Sequence, residues 1–119
     1  MTSINPLLGS ESFCYLTTTG RVSGKARTIE IWFALQEATV YMLSGGRDRS
    51  DWVKNLRRNP TVSVRIKDVV FPGRARVVTD PEEDALARAM LLEKYAPGYA
   101  RDLTDWGRTA LPIAVDVGD

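Results

Sequence analysis

The segment from residue 20 to residue 27 combines residue types that bind anions. Its small residues are Gly20, Ser23 and Gly24, and its cations are Arg21, Lys25 and Arg27. Glycine lets backbone N–H groups converge at positive φ, and guanidinium or ammonium groups beside them bind phosphate or carboxylate. The segment therefore predicts an anion-binding turn at the tip of a β-hairpin. A solvated basic turn on a structural hairpin explains the same residues, and composition alone slightly favours that simpler interpretation.

A second candidate anion site follows a predicted strand. Its residues are Ser44, Gly45, Gly46 and Arg47, and a helical pattern containing Trp52 comes next. A helix N-terminus presents unpaired N–H groups and the positive end of the helix dipole, so a glycine loop before it can receive an anion. Two glycines do not make a Walker or dinucleotide-binding motif. Trp52 shares an apolar stripe with Val53 and Leu56, so core packing explains its position equally well.

The absence of histidine narrows the chemistry. Without histidine, zinc catalysis and Ser-His or Cys-His nucleophilic catalysis lose their usual ligand or base. The single cysteine, Cys14, permits neither an intramolecular disulfide nor a cysteine-cluster metal site, and its position in a β-rich run predicts a buried, inert thiol. We therefore expect no metal site. A formal net charge of +1 also argues against a surface that binds nucleic acid.

Length and composition predict one domain spanning residues 1–119. Hydrophobic residues make up 44% of the chain and charged residues 26%, which is typical of a folded soluble protein. The chain lacks an apolar run of the roughly 20 residues that span a bilayer, and its N-terminus lacks the pattern of a signal peptide. We expect a cytoplasmic protein without an integral membrane segment, and leave peripheral association open.

The order of elements predicts a mainly β, α+β fold. Strands are predicted over 12–18, 27–36, 39–44, 61–66, 74–78 and 109–115, and the two main helices over 50–59 and 80–95. The first three strands are expected to form an antiparallel meander, and Phe71-Pro72-Gly73 to form a turn. Pro112 suggests an edge strand or a bulge. Six or so strands with two main helices predict a small β-barrel with helical insertions.

Several segments, in the same order along the chain, resemble the deazaflavin-dependent nitroreductase family. They are Thr17 to Arg27, the loop at Ser44, Trp52 to Pro60 with Val62 to Val64, and Tyr95 to Val115. The resemblance implies a split β-barrel, related to FMN-binding proteins, that is commonly a homodimer. It also implies reduction of a small molecule such as a quinone, nitro compound or enone by the reduced deazaflavin coenzyme F420.

The resemblance assigns roles to particular residues. Arg21, Lys25 and Arg27, with Ser23 and Gly24 in the same turn, would bind the phosphate and glutamate tail of the coenzyme; Ser44, Gly45 and Gly46 would lie beside its ring, near Trp52; and Tyr95 and Tyr99 would line the substrate pocket as catalytic residues. Family members carry a lysine directly after the serine of the loop, and Arg47 or Arg49 would supply the cation here.

Three functional classes remain open from the sequence. They are an F420-dependent oxidoreductase, an FMN-dependent oxidoreductase on the same barrel, and a non-catalytic protein that binds fatty acyl or other apolar ligands. A coenzyme that carries the hydride chemistry makes the lack of histidine no obstacle to the first two. The aromatic segment 95–106, interrupted by Pro97-Gly98, is predicted to fold over the site as a lid. Packing of Tyr95 and Tyr99 against the helix end would explain the same residues.

Overall fold

The computed structural model describes residues 4–118, in which seven strands form one antiparallel sheet. The strands are β1 (Cys14–Thr19), β2 (Ala26–Ile31), β3 (Ala34–Gln36), β4 (Thr39–Ser44), β5 (Thr61–Ile66), β6 (Val69–Val77) and β7 (Leu111–Val117), and their order in the sheet is β2-β1-β5-β6-β7-β4-β3. The helices are α1 (Asp51–Arg58), α2 (Pro81–Tyr95) and α3 (Thr104–Thr109).

The sheet curls into a half-barrel because its two edges are joined by the chain itself. β2 and β3 are the edge strands, yet only Trp32 and Phe33 separate them in sequence. Ile31 and Ala34, the strand ends on either side, are three Cα steps apart and so lie within about 10 Å of each other, and the two edges must meet at this point. We call Trp32-Phe33 the seam. The predicted α+β split barrel with two main helices is confirmed, and α3 is a third, short helix.

The barrel interior and the outer face of β4 and β7 form two separate cores. Phe33, Leu16, Met42 and Ile113 are among the fully buried residues inside the barrel. β1 alternates between buried and half-buried residues, as expected for a strand with one open face, and β4 is buried on both faces. The second core explains this difference, because α2 covers β4 and β7 from outside.

The predicted strand over 27–36 is two strands, so the predicted meander is divided between the two edges of the sheet, although both of its antiparallel pairings form. β2 pairs with β1, and β3 pairs with β4, but β4 pairs on its other side with β7. The break occurs at the seam, where Phe33 turns its ring into the barrel interior and its backbone binds a tyrosine side chain. Burial of one aromatic ring therefore interrupts what looks like a continuous β-run.

The predicted turn at Phe71-Pro72-Gly73 is also wrong, because these residues lie within β6. The chain turns at Lys67, whose φ is 58°, and Asp68. Gly73 is needed inside the barrel, where a Cβ atom would lie 2.6 Å from Val115 Cγ1. The Pro72 carbonyl accepts a hydrogen bond from Gly118 N at the end of the ladder with β7, where a missing N–H costs little.

Pro112 does not mark an edge strand, since β7 lies between β6 and β4. The last residue pair of the β6–β7 ladder is Val77 with Ile113, and Pro112 is one residue beyond it. Its carbonyl accepts from Val78 N. Proline is tolerated here because the ladder with β6 has already ended, so no ladder hydrogen bond needs its missing N–H.

The two main helices begin in different ways. Asp80 caps α2, because its side chain accepts from Glu83 N at 2.9 Å and Pro81 follows in the first helical position. Ser50 precedes α1 but makes no side-chain capping bond, and its hydroxyl lies 2.9 Å from the Ser44 hydroxyl instead. Within residues 4–118, no helix combines the length and hydrophobicity required to cross a bilayer.

Glu83 ties the first turn of α2 to three strands. Its carboxylate accepts two hydrogen bonds from the Arg76 guanidinium, at 2.6 and 2.8 Å, and one from the Tyr41 hydroxyl at 2.7 Å. Arg76 also binds Asp116 on β7 at 2.7 Å. The hydrogen bonds from Arg76 and then Tyr41 lower the pKa of Glu83 to about 2, and burial is the main reason that the pKa of Tyr41 is raised to about 12.

We expect Glu83 to contribute stability that acid removes. Its pKa is depressed from an ordinary 4.5, so the contribution is complete above pH 4.5 and is lost as the pH falls through about 2. Replacing Glu83 by Gln should lower the free energy of unfolding at pH 7 by about 2 kcal/mol and flatten its pH dependence in this window. Urea titrations between pH 2 and 7 measure both. The neighbouring exposed Glu82→Gln is the control, and an equal effect of the two variants would contradict the assignment.

Candidate functional site

A groove of about 510 Å³ lies between the tip of the β1–β2 hairpin and α1. We call it the basic groove. Its lining residues are Thr18, Gly20, Arg21, Val22, Ser23, Arg27, Ile29, Asp51, Trp52 and Asn55. The hairpin loop closes through Gly20 N to Lys25 O at 2.7 Å, and Gly24 adopts a φ of 73°. The loop conformation therefore depends on Gly24, one of the two glycines in the turn predicted to bind an anion.

Asn55 attaches the hairpin tip to α1. Its Oδ1 accepts from Arg21 N at 3.1 Å and from Arg21 Nη1 at 2.8 Å, while its Nδ2 donates to Thr18 Oγ1 at 3.4 Å. Asn55 is buried, so an amide without these partners would be costly. Asn55 was not among the site residues predicted from the sequence. Its signal was an asparagine three residues after Trp52, on the apolar stripe of a helix.

The two arginines of the basic groove differ in their partners. Arg21 forms an ion pair with Asp51 at 3.1 Å in addition to its bonds with Asn55. Arg27 donates only a long hydrogen bond of 3.4 Å to Ser23, and no carboxylate among residues 4–118 lies within ion-pair distance of it. The Arg27 guanidinium is therefore the better prepared of the two to receive an external anion.

A second groove, of about 390 Å³, is mainly aromatic and apolar. We call it the aromatic groove, and it is lined by Phe13, Glu30, Ile31, Trp32, Leu43, Tyr99, Leu103 and Trp106. The rings of Tyr99 and Trp106 both lie perpendicular to Trp32, with centroids 5.3 and 5.6 Å away. The segment predicted as a lid thus supplies one wall of a groove whose opposite wall comes from β2 and the seam.

Tyr95 supports the aromatic groove from behind. Its ring stacks on Trp32 with centroids 4.3 Å apart and an interplanar angle of 3°. Its hydroxyl accepts from Phe33 N at 3.0 Å and lies within donating distance of Ser12 O at 2.8 Å and Phe33 O at 3.1 Å. Burial raises the pKa of Tyr95 to about 12, so the hydroxyl keeps its proton for these bonds.

Lys94 is the second side chain that binds the seam. Its Nζ donates to Phe33 O at 2.8 Å and lies 3.7 Å from the centroid of the Phe33 ring. Burial lowers the pKa of Lys94 to about 8, and burial raises the pKa of the nearby Cys14 thiol to about 12. Cys14 is fully buried, which confirms the expected inert thiol.

The loop after β4 lies beside the aromatic groove. A Cβ atom on Gly45 would lie 3.7 Å from Trp106 Cδ1, an ordinary van der Waals distance, so the loop backbone at Gly45 lies close to the Trp106 ring. Ser44 is buried and donates to Arg47 O at 2.9 Å, while the Arg47 guanidinium donates to Thr109 O. Gly46 packs against the Ser50 side chain. The loop is thus bonded to α3, which carries Trp106.

The two grooves follow each other along β2. Ile29 lines the basic groove and Ile31 lines the aromatic groove. Residues i and i+2 of a strand point to the same face, and both isoleucines pack against the barrel core. An elongated ligand could therefore lie along β2 with an anionic part near Arg27 and an apolar part near Trp32.

The structure divides the residues predicted for the site into four groups. Arg21, Ser23, Arg27 and Trp52 line the basic groove; Gly24 and Lys25 lie at the hairpin tip; Ser44, Gly45, Gly46 and Arg47 form the loop beside Trp106; and Tyr99 lines the aromatic groove while Tyr95 lies behind Trp32. Besides Asn55, the groove residues that were not predicted from the sequence include Glu30, Leu43 and Leu103, which line the aromatic groove. Their long separation in sequence left no local pattern that relates them.

The structure is a split barrel with an arginine-lined groove beside an aromatic groove, and the split barrel is a fold of flavin and deazaflavin proteins. The chain belongs to the F420H(2)-dependent quinone reductase family, whose sequence profile matches residues 4–118. It is an oxidoreductase, and its coenzyme is F420. This confirms the resemblance to F420-dependent reductases and the coenzyme predicted from the sequence.

Solved structures show the same relationship. The F420-H2 dependent reductase FDR-A is 30% identical over 87% of this chain and 93% of its own, with a TM-score of 0.70. A protein described as a domain-swapped dimer is 31% identical over 87% of this chain and 79% of its own, with a TM-score of 0.71. A FAD-binding protein from Mesorhizobium loti shares only the fold, at 17% identity over 99% of this chain and 93% of its own and a TM-score of 0.68.

We expect Tyr95→Phe to lower the stability of the protein. The variant keeps the ring on Trp32 but leaves the Phe33 N–H without its partner, which should cost about 2 kcal/mol of unfolding free energy. Thermal and urea unfolding measure the loss. Tyr99→Phe is the matched control, because Tyr99 is 43% exposed and its hydroxyl donates to no other described residue. Equal melting temperatures for the two variants would contradict the structural role of Tyr95.

Proposed function

We propose that the chain binds the anionic tail of F420 in the basic groove and reduces a planar, quinone-like acceptor in the aromatic groove. The succession of the two grooves along β2, where Ile29 lines the first and Ile31 the second, is the observation that carries the proposal. The coenzyme has a planar ring at one end and negative charges at the other. The lining of the two grooves likewise changes along β2 from aromatic residues to basic ones.

The residues of the basic groove fit the tail of this coenzyme. Arg27 has no carboxylate partner among the described residues, and Arg21 lines the same groove. Lys25 lies at the exposed tip of the hairpin, where it adds a third positive charge next to the groove. Guanidinium groups bind phosphate and carboxylate oxygens in bidentate fashion, so two arginines on one groove suit a ligand with several anionic groups.

The residues of the aromatic groove fit the acceptor and the reaction. Reduced F420 supplies a hydride when it is bound, so the protein has to orient the acceptor and exclude water. Trp32 and Trp106 offer flat apolar surfaces for a planar ring. The Tyr99 hydroxyl is free to donate to an acceptor oxygen on which negative charge develops. The Tyr95 hydroxyl is already bonded to the seam, so we assign the catalytic contact to Tyr99 and a positioning role to Tyr95.

Replacing Lys25 and Arg27 together by Ala should weaken F420 binding by about 2 to 5 kcal/mol and reduce its salt dependence. The physical reason is the loss of two cations that face the tail. Quenching of F420 fluorescence on titration with protein, at low and high salt, measures the effect. Arg57 and Arg58 are exposed on α1 outside the lining of the basic groove, and their double Ala variant is the matched control. Unchanged affinity in the Lys25/Arg27 variant would refute the assigned tail site.

Tyr99→Phe should lower the turnover of quinone or enone acceptors by about 10-fold or more, which corresponds to about 1.4 kcal/mol of transition-state stabilisation. Affinity for F420 should stay nearly unchanged, because the change removes only a hydroxyl from the acceptor side. Steady-state kinetics with several acceptors, beside the fluorescence titration, separate the two effects. Full activity of Tyr99→Phe would show that this tyrosine only packs against Trp32.

The homodimer and the cytoplasmic location expected from the sequence stay predictions. One of the similar proteins is described as a domain-swapped dimer, which favours a dimer here as well. The outer face of β1 is half-buried at Tyr15, Thr17 and Thr19, and none of the helices described within residues 4–118 covers it. This open sheet face gives a second copy a surface on which to dock, and the molecular mass in solution decides the question.

A further inference from the structure

The second arginine of the basic groove already holds a carboxylate. Arg21 Nη2 lies 3.1 Å from Asp51 Oδ1, and Arg21 Nη1 lies 3.5 Å from Asp51 O and 2.8 Å from Asn55 Oδ1. Both Arg21 and Asp51 line the groove. The Asp51 carboxylate thus lies on the guanidinium where an anionic ligand in this groove would lie.

The contact between Asp51 and Arg21 is weak enough to be displaced. The Asp51 side chain is 85% exposed and the Arg21 side chain 34%, so water and salt screen the pair. Arg21 is the only ion-pair partner of Asp51 among the described residues. By contrast, Asn55 is buried and also binds the backbone of Arg21, so it would hold the guanidinium in place after Asp51 leaves.

We propose that Asp51 is an internal competitor of the coenzyme tail: it occupies Arg21 in the free protein and is displaced when the tail binds. This inference rests on the proposed placement of the tail in the basic groove. The first anionic group of the tail meets Arg27, which pairs with no carboxylate in the described part of the chain, and a further group must exchange with Asp51 at Arg21. Asp51 therefore sets the affinity for ligands with several anionic groups and does not affect a ligand that has none.

The test compares two deazaflavins that differ in the anionic tail. F420 carries the phosphate and glutamates, and its precursor with the ribityl chain alone carries neither, so each is titrated by fluorescence quenching against the wild type and Asp51→Asn. We expect Asp51→Asn to bind F420 about threefold more tightly at low salt, with the gain lost at high salt, and to bind the ribityl precursor unchanged. In an Arg21→Ala background, Asp51→Asn should have no effect on F420, because the competition acts through Arg21.

Asp105→Asn is the matched control for total charge. Asp105 pairs with Arg108 at 3.0 Å and is as exposed as Asp51, but it lies on α3, outside the lining of the basic groove. Weaker F420 binding by Asp51→Asn, or an equal gain for the ribityl precursor, would overturn the role of Asp51. Wild-type protein that binds F420 and the ribityl precursor equally would instead overturn the placement of the tail, and with it the proposed function of the basic groove.

Discussion

The backbone of Phe33 imposes the constraint on which the barrel depends. The chain passes from one edge of the sheet to the other at this residue, so its N–H and C=O groups lie outside the strand ladders while its ring is fully buried. Buried backbone groups without partners would cost several kcal/mol. The Tyr95 hydroxyl and Lys94 Nζ provide the partners, both from the last turn of α2. The helix therefore closes the barrel as well as covering it.

This closure also builds the site. Tyr95 stacks on Trp32, and Trp32 is in turn the wall against which Tyr99 and Trp106 form the aromatic groove. At the other end of β2, buried Asn55 fixes the hairpin tip to α1 and forms the basic groove. Each groove is thus held by one polar side chain that satisfies backbone or guanidinium groups. The fold therefore sets the positions of the groove walls before any ligand binds.

The sequence predicted what local patterns encode. The hairpin with its glycine turn, the capped helix α2 and the buried Cys14 are confirmed, since each depends on neighbouring residues. The pairing of β4 with β7 and the place of Gly73 in β6 depend on contacts between distant segments, and were missed or predicted wrongly. The same holds for the candidate site. The cations of the hairpin are neighbours in sequence and were predicted together, whereas Asn55 contacts the hairpin only because α1 packs against it. The sequence did not distinguish Tyr95 from Tyr99. In the structure only the Tyr95 hydroxyl lies within hydrogen-bonding distance of three backbone atoms, Phe33 N, Phe33 O and Ser12 O.

The seam has a consequence for the motions of the protein. Separation of Tyr95 from Phe33 would free the two sheet edges and, at the same time, remove the ring that supports Trp32. Local opening of the barrel and loss of one wall of the aromatic groove are therefore one event, with one free energy of opening. A molecule seated against Trp32 resists that opening by mass action. The amide hydrogen of Phe33 would then exchange with solvent more slowly whenever the aromatic groove is filled.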